Sequence, residues 1–173
     1  MVICSRDDAG SHARELRATS EVNAPPSAVF DVVTDFQHYP SFMPYTKDVR
    51  VLSWRSVNVL VEYSRVSAPF VSDRDSVNEV RLTRGSARNG GVYRTDWFTR
   101  PDAMPELAGV VRVRLNTGSW VIEPIDGGTR SRVTYSILTD PGGSIPRFLT
   151  DRSNSAFVPA LFHAVRLRAT GHD

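Results

Sequence analysis

Cysteine is almost missing from this chain. Cys4 stands alone among 173 residues, which excludes an internal disulfide framework and points to a reducing, cytoplasmic setting. Lysine is as scarce: Lys47 is the only one, against twenty arginines. Arginine can grip phosphate or a lipid headgroup in a bidentate way. Here it is spread along the chain and nearly balanced by acids, for a net charge of +2. Charge alone therefore gives no case for nucleic acid. Long apolar runs are missing too. None approaches the roughly 18 residues that cross a bilayer, and the first residues have no apolar core that would make a signal peptide. The four histidines, His12, His38, His163 and His172, lie far apart without metal-ligand spacing, so no zinc site is expected. There is no P-loop and no strand–GxGxxG–helix unit, and no cofactor is expected.

What is present is one long helical stretch after a series of strands. Residues 140–169 open on Pro141, Gly142 and Gly143, which stop a strand. Ser144 is placed to cap a helix with Pro146 in its first turn. Apolar residues then recur at helical spacing: Ile145, Phe148, Leu149, Ala156, Phe157, Ala160, Leu161, Ala164 and Val165. Pro159 inside this run removes one intrahelical bond and predicts a bend near 155–159. The Gly-Gly entry can serve as a hinge.

Residues 1–12 carry no pattern and read as a flexible tail; 13–170 read as one domain. Leu16, Ala18 and Val22 share one parity of a strand over 13–22. A turn with Pro25 and Pro26 leads into a short helix whose apolar face is Ala28, Val29, Val32 and Val33. Pro40 and Pro44 break 35–46 into one or two helical turns, which either plug the end of a sheet or wall a cavity. Strands follow at 48–54, 57–66, 71–84, 91–99, 110–124 and 129–139, with hairpin turns at Asn89-Gly90-Gly91 and Asp126-Gly127-Gly128. Consecutive hairpins make an antiparallel sheet, one face of which needs covering. The last helix is the cover. The expected fold is α+β: a helix-grip architecture, with a curved antiparallel sheet of about seven strands around a long C-terminal helix and two short helices after strand 1.

Two stretches sharpen this. GSWVIEPIDGGTRSRVTYSILTDPGGSIPRFL, from Gly118, and Ser72-Asp73-Arg74-Asp75-Ser76-Val77 resemble the steroidogenic-acute-regulatory-related lipid-transfer (START) domains. The second stretch is similar to that family's Arg-Asp-aromatic-Val strand, with Ser76 at the aromatic position. APPSAVFDVVTDFQHYPSFMP is similar to the wider helix-grip superfamily, including polyketide-cyclase-like and coenzyme-Q-binding members. The resemblance implies one apolar molecule held between sheet and last helix, by a binder or carrier rather than an enzyme. It also implies a mobile gating loop in RPDAMPELAG, where Met104, Pro105 and Leu107 are apolar. That loop is either a lid that touches ligand or membrane, or a segment folded onto the helix.

The residues offer matching chemistry. If Val80 and Leu82 face the helix, period two places Arg74, Ser76 and Asn78 on the same inner face. A lone buried charge is costly, so Arg74 is either ion-paired with Glu62 or Asp96, or anchors a polar group of a ligand. Asp73 and Asp75 then point to solvent. Tyr63, Tyr93 and Tyr135 can add hydroxyls. Val59, Val61, Trp97, Trp120, Ile122, Val133, Ile137, Phe157 and Leu161 make the apolar inner surface. The expected ligand contacts are thus Tyr63, Arg74, Asn78, Trp97, Trp120, Tyr135, Ile137, Phe157 and Leu161. The leading expectation is non-enzymatic binding or transfer of a sterol, phospholipid, fatty acyl or other lipid-like molecule, with room for transient contact with a membrane surface. Arg147, Arg152, Arg166 and Arg168 either attract anionic lipid or form a solvated charged face, the latter being the favoured reading. The alternatives are a polyketide cyclase/aromatase-type enzyme, and a coenzyme-Q chaperone or ribosome-associated protein. Oligomeric state stays open.

Overall fold

The computed structural model describes residues 1–7, 13–67, 71–142 and 147–171. The elements in order are β1 (Val2–Asp7), β2 (Arg14–Val22), α1 (Pro26–Val33), α2 (Tyr39–Phe42), β3 (Thr46–Ser56), β4 (Val59–Val66), β5 (Arg74–Thr83), β6 (Tyr93–Thr99), β7 (Val111–Arg112), β8 (Leu115–Ile125), β9 (Arg130–Asp140) and α3 (Arg147–Ala169). The sheet order is β1-β2-β9-β8-β6-β5-β4-β3, and β7 pairs with β5. All pairings are antiparallel except β5 with β7. This is the expected helix-grip arrangement with two corrections.

The sheet has nine strands rather than about seven. One extra strand, β1, lies in the stretch expected to be a tail, and pairs with β2 from Val2↔Thr19 to Asp7↔Arg14. Residues 1–6 are all exposed. An edge strand held by ladder hydrogen bonds buries no face, so it leaves no alternation in the sequence. The other, β7, interrupts the strand expected over 110–124. It is two residues long, below what periodicity can register.

The turns follow their chemistry. Gly90 and Gly91 have φ of +66° and +76°. Asn89 holds this corner by accepting from the Ser86 amide (2.7 Å) and donating to the Arg84 and Val92 carbonyls. Register shifts in β3 at Thr46/Asp48, Val51/Ser53 and Trp54/Ser56 are bulges, which bend and twist a strand.

On α3, Val158, Leu161, Phe162 and Val165 are buried, a spacing of three, one and three that makes one stripe. They join Val29, Phe30 and Val33 of α1 and Ile122, Val133 and Trp120 of the sheet in one core. Each such side chain contributes on the order of 2 kcal/mol by leaving water. α3 runs 23 residues with Pro159 inside it. The cap expected at Ser144, the first-turn Pro146 and the Gly143 half of the hinge lie outside the described residues. No helix among the described residues is long and apolar enough to cross a membrane.

Candidate ligand-binding cavity

A cavity of about 400 Å³ lies between the inner face of the sheet, the α1–α2 segment and α3. Strand parity builds it. β5 turns Arg74, Ser76, Asn78 and Val80 inward, and β4 turns in Glu62, Ser64 and Val66. The segment 35–46 supplies Phe36, Tyr39, Met43 and Pro44, so it serves as a wall. α3 supplies Phe157 and Leu161.

Of the expected contacts, the structure brings Arg74, Asn78, Trp97, Trp120, Tyr135, Ile137, Phe157 and Leu161 onto this lining. The aromatic side is continuous: Trp97 stacks on Tyr135 at 5.8 Å, Tyr135 meets Trp120 at 4.7 Å, and Trp120 meets Phe162 edge-on at 5.6 Å. Gly118 makes room for it. A Cβ there would stand 2.3 Å from the Trp97 ring and from the Ser136 carbonyl. At one end Tyr45, with φ +59°, stacks its ring on Phe157 at 6.3 Å.

Tyr63 is not on the lining. It is fully buried on the opposite face of the sheet with Val61 and Val77. Val59 and Val61 also face away, and Leu60 takes the inner position. The reason is the segment 100–109. Met104 and Leu107 pack on that outer cluster, so both faces of β4 and β5 are covered and apolar alternation loses its meaning. None of Met104, Pro105 and Leu107 is on the cavity lining, and among the described residues Met104 and Leu107 pack on the outer face of the sheet. Arg112 fastens the segment. Its guanidinium donates to both carboxylate oxygens of Asp75 (2.8 and 3.1 Å) and to the carbonyls of Pro101, Met104 and Pro105 (2.5, 2.8 and 3.2 Å). Asp75, expected in solvent, has a side chain only 1% exposed. The pairing raises the affinity of the Arg112 guanidinium for its proton.

Arg74 is 9% exposed. Neither expected ion pair forms: Asp96 is bonded to Arg94 and Glu62 to Asn78. Arg74 donates to the Ser72 carbonyl, while its Nε is buried with no hydrogen-bond partner among the described residues. Burial lowers its pKa.

Beside it runs a polar ladder, only parts of which the sequence shows. Asn78 Nδ2 donates to Glu62 Oε1 and to Ser76 Oγ, both at 3.1 Å. Ser76 Oγ lies 2.9 Å from Ser64 Oγ and accepts from Asn116 Nδ2 at 3.3 Å. Asn116 Oδ1 accepts from Trp97 Nε1 at 3.3 Å. Burial pushes the Glu62 carboxyl up to about 7, partly opposed by the Asn78 bond. Burial also raises the Tyr135 and Tyr39 hydroxyls, and Tyr39 donates to the Val33 carbonyl at 2.5 Å. Glu62 and Ser64 could have been found from the register of β4 on β5, which sets Glu62 opposite Asn78 and Ser64 opposite Ser76.

A family model described as polyketide cyclase/dehydrase and lipid transport matches residues 22–166. The chain belongs to this family. A STAR-related lipid transfer protein (fragment 25–204) from Xanthomonas axonopodis superposes with a TM-score of 0.83 at 26% identity, over 97% of this chain and 92% of that one. Human StAR-related lipid transfer protein 5 superposes at 0.86 over 98% and 81%, at 16% identity, a likeness of fold. The rat phosphatidylcholine transfer protein is 31% identical over 138 residues, 78% of this chain. The chain spans 63% of that protein's length. The family match begins at Val22 and ends at Arg166, so it takes in both walls of the cavity and most of α3.

Proposed function

We propose that this protein binds a hydrophobic small molecule between sheet and α3 and carries it, without chemical change, between sites of origin and delivery. The observation that carries this reading is the cavity itself: apolar walls, with an Arg74 that has no carboxylate partner among the described residues. Pockets of this kind bind by apolar burial and orient by a few polar groups. A ligand losing about 400 Å² of apolar surface gains on the order of 10 kcal/mol gross at about 25 cal/mol per Å². Association removes a good part of that. Its membership in a family that includes lipid transport, and its likeness to lipid transfer proteins, support the same reading.

Binding is favoured over polyketide turnover by how the carboxyls on the lining are used. Asp75 is committed to Arg112, and Glu62 is bonded to an amide rather than to a second acid or base. Within the proposal, Arg74 anchors the polar end of the ligand, and the aromatic side with Ile137, Phe157 and Leu161 holds its body. Exposed Tyr45 and Val66 supply apolar surface for a transient membrane contact. The single cysteine fits a cytoplasmic carrier. A volume of about 400 Å³ lies at the small end of pockets of about 300–1,000 Å³. It suits one chain or one compact ring body rather than two long chains.

Transfer of a pyrene-labelled fatty acid between donor and acceptor vesicles tests this. The rate should rise in proportion to added protein, and Ile137→Trp, which fills the cavity, should abolish the increase. A rate unchanged by the wild-type protein, with no binding of fatty acid, sterol or lysophospholipid, would refute the carrier reading.

A further inference from the structure

We propose that the tip of the β3–β4 hairpin is a membrane anchor, seating Trp54 and Val57 in the interface of an anionic bilayer. The hairpin closes the β3 edge of the sheet. Leu52, Trp54 and Val57 are 39, 57 and 86% exposed. Trp54 pairs across the ladder with Leu60, and Ser56 with Val59, so the exposed side chains flank one turn. Leu60 is fully buried in the core, while its neighbour Trp54 extends past it. Of the three tryptophans, Trp120 is 5% exposed and Trp97 lines the cavity, so Trp54 is the exposed one. The turn is well tied. The Leu82 amide donates to the Asn58 carbonyl at 2.8 Å, and the Asn58 amide to Ser56 Oγ at 3.3 Å. Val66, at the other end of β4, is about 23 Å away at strand spacing, so this surface is separate from the end of the cavity at Tyr45 and Phe157.

Charge selects the partner. From Val49 to Val61 the sequence holds Arg50 and Arg55 and no acid. The acids on either side are already paired, Asp48 with Arg50 and Glu79 with Arg81 and Arg100. Arg55 is exposed, and Arg84, just past β5 and beside the turn, lies over the Phe30 ring at 5.1 Å. These cations attract anionic lipid within a Debye length. The indole suits the same layer, since its body is apolar and its N–H reaches water or a headgroup. Shape argues against a protein partner. β3 is an edge strand, but its register shifts at Thr46/Asp48, Val51/Ser53 and Trp54/Ser56 interrupt the regular edge that strand addition needs. What remains is a narrow tip of three apolar side chains among serines and arginines. That is too little for the roughly 800 Å² per partner of a stable protein interface, yet enough to dip into a lipid interface. Anchoring is independent of what the cavity holds.

The test is co-sedimentation of the full chain with vesicles of phosphatidylcholine alone and of phosphatidylcholine and phosphatidylglycerol in equal parts. The chain should bind the mixed vesicles, bind the neutral ones more weakly, and come off the mixed ones as salt is raised. Trp54→Ala should lower the partition coefficient about tenfold, and Val57→Asp by at least as much. Both positions are exposed, so neither should move the melting temperature. Trp54 emission should shift to the blue on mixed vesicles and be quenched by brominated phosphatidylcholine. In Trp54→Phe that response should be gone, which separates it from any change at Trp97 and Trp120 when a lipid enters the cavity. Ile137→Trp, which fills the cavity, should sediment like the wild type. Equal binding to both kinds of vesicle, binding to neither, or binding unchanged in Trp54→Ala and Val57→Asp would overturn the proposal. So would a blue shift that develops without vesicles as protein concentration rises, which would assign the hairpin to a second copy of the chain. If a variant fails to fold, the wild-type comparison of the two vesicles still decides. None of these results bears on the carrier reading, which the transfer assay tests.

Discussion

All five N–H groups of Arg112 are used, two on Asp75 and three on carbonyls of the 100–109 segment. Arg74, also out of solvent, has one bond among the described residues, to the Ser72 carbonyl. Removing them should therefore have very unequal effects on stability. Arg112→Leu leaves Asp75 buried and unpaired, which typically costs about 3–5 kcal/mol, and chemical denaturation should show a loss of that order. Arg74→Leu should change stability by no more than about 1 kcal/mol, while weakening ligands that offer a carbonyl, carboxylate or phosphate. A large loss of stability in Arg74→Leu would make it a structural residue. Glu62 gives a third expectation. Its folded pKa of about 7 lies above the ordinary value of 4.5, so between these values the folded state holds a proton that the unfolded state has released. Stability should fall as pH rises through that window, by about 3 kcal/mol for a shift of this size. Glu62→Gln has no carboxyl to titrate, so its stability should lack that slope across pH 4.5–7. Parallel pH–stability curves for the two proteins would contradict the assignment.

Among the elements, α3 and the two Gly-Gly hairpins were legible in the sequence, because each follows from a local signal: helical spacing in one, positive-φ residues in the other. The inner face of β5 was legible as well, since parity from Val80 and Leu82 extends back to Asn78, Ser76 and Arg74. β4 was not. Val61 and Tyr63 are buried against Met104 and Leu107 while Leu60 and Glu62 are buried against the core and cavity, and a strand covered on both sides has no parity to read. The 100–109 segment misled for the same reason: its apolar residues signalled a covered surface without saying which one. β1 left no signal at all, being an edge strand with exposed side chains. At this scale Pro159 makes a prediction. Pro159→Ala restores an N–H that can donate to the carbonyl four residues earlier, and a proline inside a helix costs about 3 kcal/mol in a straight host. The variant should melt at higher temperature. A lower melting temperature would mean that the fold around α3 requires the proline.

At the scale of the molecule, one sheet covered by one long helix leaves space that its own side chains do not fill, and the groups bordering that space are incompletely satisfied. Arg74 Nε and Asn78 Oδ1 are the polar part of this, and the aromatic side from Trp97 to Trp120 is the apolar part. A ligand would cover the second, so binding should raise the melting temperature in a concentration-dependent way. The central claim is that the cavity is an occupied site in the working protein. Native mass spectrometry of the purified chain tests it most directly. The account predicts a second species heavier by the mass of one lipid-like molecule, at one equivalent per chain, which Ile137→Trp eliminates. A single species at the mass of the bare chain, unchanged after incubation with fatty acids, fatty alcohols and sterols, would contradict it.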